Sequence, residues 1–198
     1  DEPIDFDNLV AKGSMMGSGG AIVMDEDNCM VDIAHFYMDF IVDESCGKCS
    51  PCRIGTKRLY EMLTTVTKGQ ATEKTLDEMK ELATVIKNGS LCALGQTAAN
   101  PILSTMNSFP EEYKAHVIDK KCPAHVCKDL MSYHILPEKC MGCTLCARNC
   151  PVSCISATTD PVTVKPIPNK FVHQIDQSKC IKCGSCISGC HFGAIIKQ

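Results

Sequence analysis

Cys140, Cys143, Cys146 and Cys150 are spaced C-x2-C-x2-C-x3-C, and the same spacing returns at Cys180, Cys183, Cys186 and Cys190. KCMGCTLCARNC and KCIKCGSCISGC align at an offset of forty residues. In a C-x2-C-x2-C loop three thiolates meet three irons of one cubane, and the fourth cysteine lies too far along the chain to close it. That fourth thiolate ligates the partner half's cluster. The spacing therefore predicts one [4Fe–4S] cluster on Cys140, Cys143, Cys146 and Cys190. It predicts a second on Cys180, Cys183, Cys186 and Cys150. Pro151 follows the first motif, and His191 stands at the matching place in the second. Zinc ribbons would give cysteine pairs, not triplets.

A third triplet, Cys46, Cys49 and Cys52, has no cysteine three residues on. Its fourth ligand must come from elsewhere. Cys92 follows an expected helix end, and Cys29 and Cys122 are rival donors. KCPAHVCKDL adds Cys122, His125 and Cys127 within six residues. Cys154 is a fifth cysteine beside the first ferredoxin-like motif, aligned with Ala194 of the second. Three thiolates and an imidazole suit tetrahedral Zn²⁺, so Cys122, His125, Cys127 and Cys154 are the expected zinc ligands, with His134 the rival histidine. Three unpaired buried thiols are the plainer alternative. Cys29, at a helix start, reads as a small buried hydrophobe. No Ser, Cys or Asp stands with a histidine in a triad spacing, and no catalytic residue is expected.

The elements that must hold these residues are mostly helices. Apolar spacing predicts a helix over 27–42 with Asp27 as N-cap, its stripe running through Val31, Ile33, Ala34, Tyr37, Phe40 and Ile41. Helices are also predicted over 56–67, 101–107 and 110–117. TEKTLDEMKELATVIKNG gives one more, with Thr75 and Glu78 as a capping box and Gly89 as its stop. Ala21–Met24 reads as a short strand after a glycine-rich turn that lacks G-x-G-x-x-G. TTDPVTVKPIPNK reads as a loop, FVHQID and AIIKQ as strands, and Cys154 as lying on a helix after Cys150. The fold class is α+β: a small helical bundle holding one [4Fe–4S] cluster, then a two-[4Fe–4S] ferredoxin-like α+β domain. The expected divisions are 1–26 (the end of a truncated α+β domain), 27–119 (bundle), 120–137 (connector) and 138–198 (ferredoxin domain).

Composition agrees. Aromatics are 5% with no tryptophan, so a core of this size needs staples. The opening DEPIDFDNLV is not a signal segment, which favours metal over disulfide and a cytoplasmic setting. No apolar run has membrane-spanning length. Residues 1–45 carry eleven acidic residues against one lysine, while residues 121–198 carry nine basic and four acidic. The basic end offsets the negative charge of cysteine-ligated cubanes. Without basic runs or interleaved aromatics, nucleic-acid binding is disfavoured.

The last sixty residues resemble bacterial two-[4Fe–4S] ferredoxins. GSGGAIVMDE, ESCGKCSPCRIGTKRL and NGSLCALGQTAANP resemble the C-terminal part of the NADH-oxidising flavoprotein subunit of complex I. They also resemble its relatives in NAD-dependent formate dehydrogenases and [FeFe] hydrogenases. The resemblance covers roughly residues 5–118 and implies a [4Fe–4S] cluster on Cys46, Cys49, Cys52 and Cys92. Fusion to a ferredoxin domain resembles the flavoprotein subunit of electron-bifurcating, NAD(P)-linked [FeFe] hydrogenases. The region binding FMN and NAD(P) in that family precedes the matched part, so the chain reads as a fragment and neither ligand is assigned to residues here. The implied role is an electron relay through three clusters. The implied partners are a hydrogenase catalytic subunit, a thioredoxin-like [2Fe–2S] subunit and soluble ferredoxin. A formate dehydrogenase or complex I-like setting is the alternative, as are a stand-alone ferredoxin-type carrier and a metal-stapled interaction module.

Overall fold

The computed structural model describes residues 3–165 and 168–198. The chain forms two compact units, Asp1–Cys127 and Lys128–Gln198. The division falls inside the expected connector, because the strand that opens the second unit begins at Tyr133.

The first unit is helical. α1 (Phe6–Ala11) is capped by the Asp5 carboxylate and buries no side chain. The expected strand Ala21–Met24 is absent. That stretch is irregular and solvent-facing, with Val23 94% exposed. Four apolar residues have no partner strand to pair with among the described residues.

α2 (Met30–Glu44) starts three residues later than expected, with Cys29 and not Asp27 at its N-cap. It buries Met30, Val31, Ala34, Met38 and Ile41, one face at helical spacing, whereas Phe40 of the expected stripe points to solvent. α3 (Ser50–Thr67) includes the last cysteine of the third triplet and buries Leu59, Met62, Leu63 and Val66. α4 (Glu73–Gly89) ends at the expected glycine, but its capping box uses Thr72 and Thr75, not Thr75 and Glu78. A cap needs its side chain one residue outside the first turn, and Thr75 lies inside it. α3 and α4 pack closely: a Cβ on Gly55 would sit 2.5 Å from Ile86 Cγ1. α5 (Ala93–Thr97), α6 (Asn100–Ser108) and α7 (Pro110–Lys114) complete the bundle, and α7 runs on into a π-helical turn, Ala115–Asp119.

The second unit is built from two exchanged halves. β1 (Tyr133–Ile135) precedes the first motif, α8 (Leu145–Arg148) lies within it and β2 (Ile155–Pro161) follows. β3 (Phe171–Ile175), α9 (Ser185–Ser188) and β4 (Ile195–Lys197) repeat this order. β1 pairs antiparallel with β4, and β2 with β3, so each two-stranded sheet takes one strand from each half. FVHQID and AIIKQ are strands as expected. The expected loop is strand as far as Pro161, because Pro161 pairs with Phe171 after a register shift beyond Ala157. Residues 166–167 of that loop lie outside the described residues. The helix expected to carry Cys154 is a turn leading into β2.

The repeat also fixes backbone conformation. Positive φ occurs at Gly142 and Lys182, at Thr144 and Gly184, and at Ser153 and Gly193, three pairs each forty residues apart. The left-handed conformation costs a non-glycine residue about 1–2 kcal/mol. Each pair nevertheless holds one non-glycine, so the cysteine loops impose this geometry whatever the side chain.

Candidate metal centres

In the second unit the loops, with their matched left-handed turns, wrap two small cavities. The first is lined by Cys140, Cys143, Cys146 and Cys190, with Ile135, His173 and Ala194 among the wall residues. The second is lined by Cys150, Cys180, Cys183 and Cys186, with Tyr133, Cys154 and Ile175. The first wall thus takes three cysteines from one half and one from the other, and the second takes three from one half and two, Cys150 and Cys154, from the other.

Electrostatics follows the same grouping. Burial, with Cys143, Cys140 and Cys190 adding to it, pushes the Cys146 thiol up to about 11. Cys186 is raised by burial, with Cys180 and Cys183 adding to the effect. Four thiols facing one apolar space cannot all ionise without a cationic centre among them. The donor chemistry fits an iron–sulfur cluster in each cavity.

In the first unit, Cys49 is the N-cap of α3 and Cys52 lies in its first turn, so the positive end of an 18-residue helix faces their thiols. Arg53 donates from Nη1 to the Gly47 carbonyl at 3.0 Å and braces the Cys46–Cys49 loop. Cys92 caps α5. Two contacts bring its loop to the triplet. The Leu91 backbone N–H holds the Cys49 thiol below its ordinary range. A Cβ on Gly95 would meet Cys52 Cβ at 3.1 Å. Cys46 and Cys92 are exposed, so the rim opens to solvent.

The described residues hold one tight group of single-ion donors: Cys29, His116, Cys122 and Cys127, all buried, with ligand atoms within 4.8 Å of one another. Cys29 Sγ lies 3.3 Å from His116 Nε2 and 3.8 Å from Cys127 Sγ. His116 Nε2 lies 3.4 Å from Cys127 Sγ. Tetrahedral zinc, with Zn–S about 2.3 Å and Zn–N about 2.0–2.1 Å, requires S···S edges of about 3.8 Å and S···N edges of about 3.5 Å. The donor set fits that ion. His116 Nδ1–H donates to the Glu112 carbonyl at 2.7 Å, which leaves the Nε2 lone pair free for a metal.

Each element contributes one part of this group. Cys29 is placed by the α2 N-terminus, and the Glu112 carboxylate accepts from Met30 N–H at 2.9 Å to fix it. His116 sits on the π-helical turn, a form that often marks functional positions. A turn from Cys122 O to His125 N–H, 2.9 Å, folds Cys127 back beside Cys122. Without a metal, burial lowers His116, but Cys122, Cys29 and the Glu112 carbonyl outweigh it and raise the imidazole to about 10. Hydrogen bonding from Cys127 and Cys29 holds Cys122 down, while Cys127 is driven up by Cys122 and Cys29.

This group differs from the zinc set expected from sequence. Cys122 and Cys127 belong to the group, but His125 and Cys154 do not. His125 is the residue of the Cys122–Cys127 turn with φ +52, and its Nδ1 is buried without a partner. Cys154 lies in the other compact unit, 3.5 Å from Cys150 Sγ on the wall of the second cavity. His134 bonds to the Ser132 hydroxyl at 2.8 Å. Cys29 is buried as expected, but against metal-binding donors and not against hydrocarbon alone. His116 was missed because nothing in its local spacing marks it: its partners lie 87 residues before it and six to eleven after it.

Residues 32–116 match the family described as the NADH-ubiquinone oxidoreductase-F iron–sulfur binding region. Residues 139–194 match the 4Fe-4S dicluster domain. The chain is 57% identical over 198 residues to the NADP-reducing hydrogenase subunit HndC of Solidesulfovibrio fructosivorans, covering all of this chain and 38% of that protein. It is 39% identical over 123 residues to the F-type NADH-quinone oxidoreductase subunit of Streptomyces coelicolor, covering 62% of this chain and 27% of that one. It is 38% identical over 122 residues to an F-type NADH-quinone oxidoreductase subunit of Rhizobium meliloti, covering 62% and 29%. The chain thus spans well under half the length of these relatives. The F-type segment contains Cys46, Cys49, Cys52 and Cys92, and the dicluster segment contains the eight repeat cysteines and Cys154. Cys29, Cys122 and Cys127 fall outside both, and His116 is the last residue of the first.

Proposed function

We propose that this F-type chain is the iron–sulfur portion of a flavin- and NAD(P)-linked multisubunit oxidoreductase. It passes single electrons through three [4Fe–4S] clusters, on Cys46, Cys49, Cys52 and Cys92; on Cys140, Cys143, Cys146 and Cys190; and on Cys180, Cys183, Cys186 and Cys150. The observation that carries this reading is the pair of matched cavities, each lined by the three triplet cysteines of one half and by the fourth motif cysteine of the other, with Cys154 in addition on the second wall. A bound cluster supplies one-electron chemistry, while a nicotinamide delivers two electrons as hydride. A flavin held in a part of the enzyme outside this chain would separate the pair.

The chain's own residues position and tune. The α3 N-terminus and the backbone N–H groups of the loops stabilise the more negative, reduced state of each cluster. Apolar walls such as Ile135 and Ile175 keep water from the sulfurs. No residue here is assigned a proton-transfer or nucleophilic role.

The hydrogenase setting is preferred because the HndC relative matches both modules, whereas the two quinone oxidoreductase relatives match about three-fifths of the chain. On this reading the partners are a hydrogenase catalytic subunit and a thioredoxin-like [2Fe–2S] subunit, in an electron-bifurcating complex in the cytoplasm. No helix among the described residues is long and apolar enough to cross a membrane. A formate dehydrogenase or complex I-like setting is the alternative.

One Zn²⁺ on Cys29, His116, Cys122 and Cys127 completes the proposal. It ties the α2 N-terminus, the π-helical turn and the last residues of the first unit into one clamp.

Iron and sulfide counting with EPR during stepwise dithionite reduction tests the relay. About twelve irons and three reducible S = 1/2 centres are expected. Eight or fewer irons would remove a cluster from the scheme.

A further inference from the structure

His173 is 4% exposed, and its Nδ1 is buried with no hydrogen-bond partner. It sits on β3, where its backbone is in register with Ala157, and it lines the first cavity beside Cys140, Cys143, Cys146 and Cys190. A buried imidazole nitrogen without a partner is rare in a folded protein, because burial strips away its water. A cluster bound in the cavity that His173 lines would supply the partner. A cluster there presents sulfides and iron-bound thiolates, which carry no proton and only accept. An acceptor-only neighbour fixes the tautomer, with the proton on Nδ1.

The repeat makes the position informative. Forty residues earlier stands Tyr133, which lines the second cavity as His173 lines the first. The fold therefore accepts another ring at this place, and the imidazole is a difference between the two walls.

We infer that His173 donates an Nδ1–H hydrogen bond to the sulfur shell of the cluster on Cys140, Cys143, Cys146 and Cys190, and thereby raises the potential of that cluster. Reduction adds negative charge to the sulfurs, so a donor aimed at them favours the reduced form. His173 acts through the cluster and is a positioning residue. The inference rests on the cluster assignment proposed above.

The test is an EPR-monitored redox titration of the anaerobically reconstituted chain, with iron counting, on wild type, H173F and H173Q. In H173F, iron stays at the wild-type level and one of the three centres becomes harder to reduce. At the potential where that centre is half reduced in wild type, its reduced-to-oxidised ratio falls about threefold to tenfold, tenfold being about 59 mV for a one-electron couple. H173Q, whose amide N–H still donates, shifts less. Unchanged potentials in an iron-replete H173F overturn the inference. A wild-type chain short of its irons instead overturns the cluster assignment. If H173F loses iron, wild type grown on ¹⁵N-histidine decides. A ¹⁵N hyperfine coupling to a reduced cluster that vanishes in H173Q supports the hydrogen bond, and no such coupling refutes it.

Discussion

Removing the zinc proposed for the Cys29–His116–Cys122–Cys127 group is the perturbation whose effect can be worked furthest. All four donors are buried, between 0 and 4% exposed. Emptied of metal, they leave three thiols and an imidazole packed within 4.8 Å, with no solvent to screen them. A metal that binds the folded form alone stabilises it by RT ln(1 + [Zn]/Kd), about 4 kcal/mol when free zinc is a thousandfold above Kd. A unit of 127 residues responds at roughly 3–4 °C per kcal/mol. Adding a strong chelator should therefore lower the first unit's melting temperature by about 12–16 °C. His116→Ala and Cys29→Ser should each lose stoichiometric zinc in elemental analysis, and their melting should no longer respond to the chelator. Cys154→Ser should keep its zinc. The reasoning fails if zinc is retained in both donor variants or lost in Cys154→Ser. It also fails if the chelator leaves wild-type melting unchanged.

Zinc uptake at pH 7 should release protons, since the metal-free His116 carries its proton up to about pH 10. The apparent affinity should accordingly rise with pH toward 10, and calorimetry in buffers of different ionisation enthalpy checks both. Gly95→Ala should strip the first unit's cluster and spare the other two, because the new methyl would meet Ser90 Cβ at 2.5 Å and Cys52 Cβ at 3.1 Å. Iron should then fall from about twelve to about eight, with the pair of ferredoxin signals intact. Cys150→Ala should keep most of its iron, because Cys154 Sγ lies 3.5 Å from Cys150 Sγ on the same wall. Cys150→Ala/Cys154→Ala should lose the cluster, and equal losses in the two variants would count against a spare ligand. Lys182→Gly should stabilise the second unit by about 0.5–1 kcal/mol in chemical denaturation, since Lys182 has φ +57 where its repeat mate is Gly142.

The helices of the bundle were legible because their apolar residues recur at helical spacing and α4 stops at a glycine. Their starts were less so. A cap is decided by which side chain reaches which N–H, and Asp27, Cys29, Thr72 and Thr75 all lie within three residues of an α2 or α4 start. The Ala21–Met24 error has another cause. A strand exists only if another chain segment offers its ladder, and β-propensity says nothing about that. The same dependence hid β2, whose TTDP sequence looks like a turn but is held by β3 across the repeat.

The two kinds of proposed metal site differ in how sequence records them. A cubane loop is local: three thiolates come from seven consecutive residues, and the turns between them need particular φ values, positive at Gly142 and Lys182 and at Thr144 and Gly184. Its pattern is therefore written in spacing. The four-donor group is a tertiary site. Its S···S and S···N edges of 3.3–3.8 Å arise where a helix start, a π-helical turn and a hairpin-like loop converge. Nearness in sequence selected His125, which the Cys122 turn places outside the donor group. It also passed over His116, which the extra residue of a π turn brings into it. Cys154 misled for a related reason. A fifth cysteine beside four ligands looks like surplus available to another metal, yet the strand exchange closes it into the cavity its neighbours already line. The distinction predicts how each site should tolerate change. Lengthening a loop between cubane cysteines by one residue should abolish that cluster, because the left-handed turns lose their places. A one-residue insertion in the exposed 120–121 stretch should leave zinc bound, because the donors are fixed by α2, the π turn and the Cys122–Cys127 loop independently. Iron and zinc counts on the two insertion variants would settle it, and zinc loss in the second would mean that the stretch sets the site.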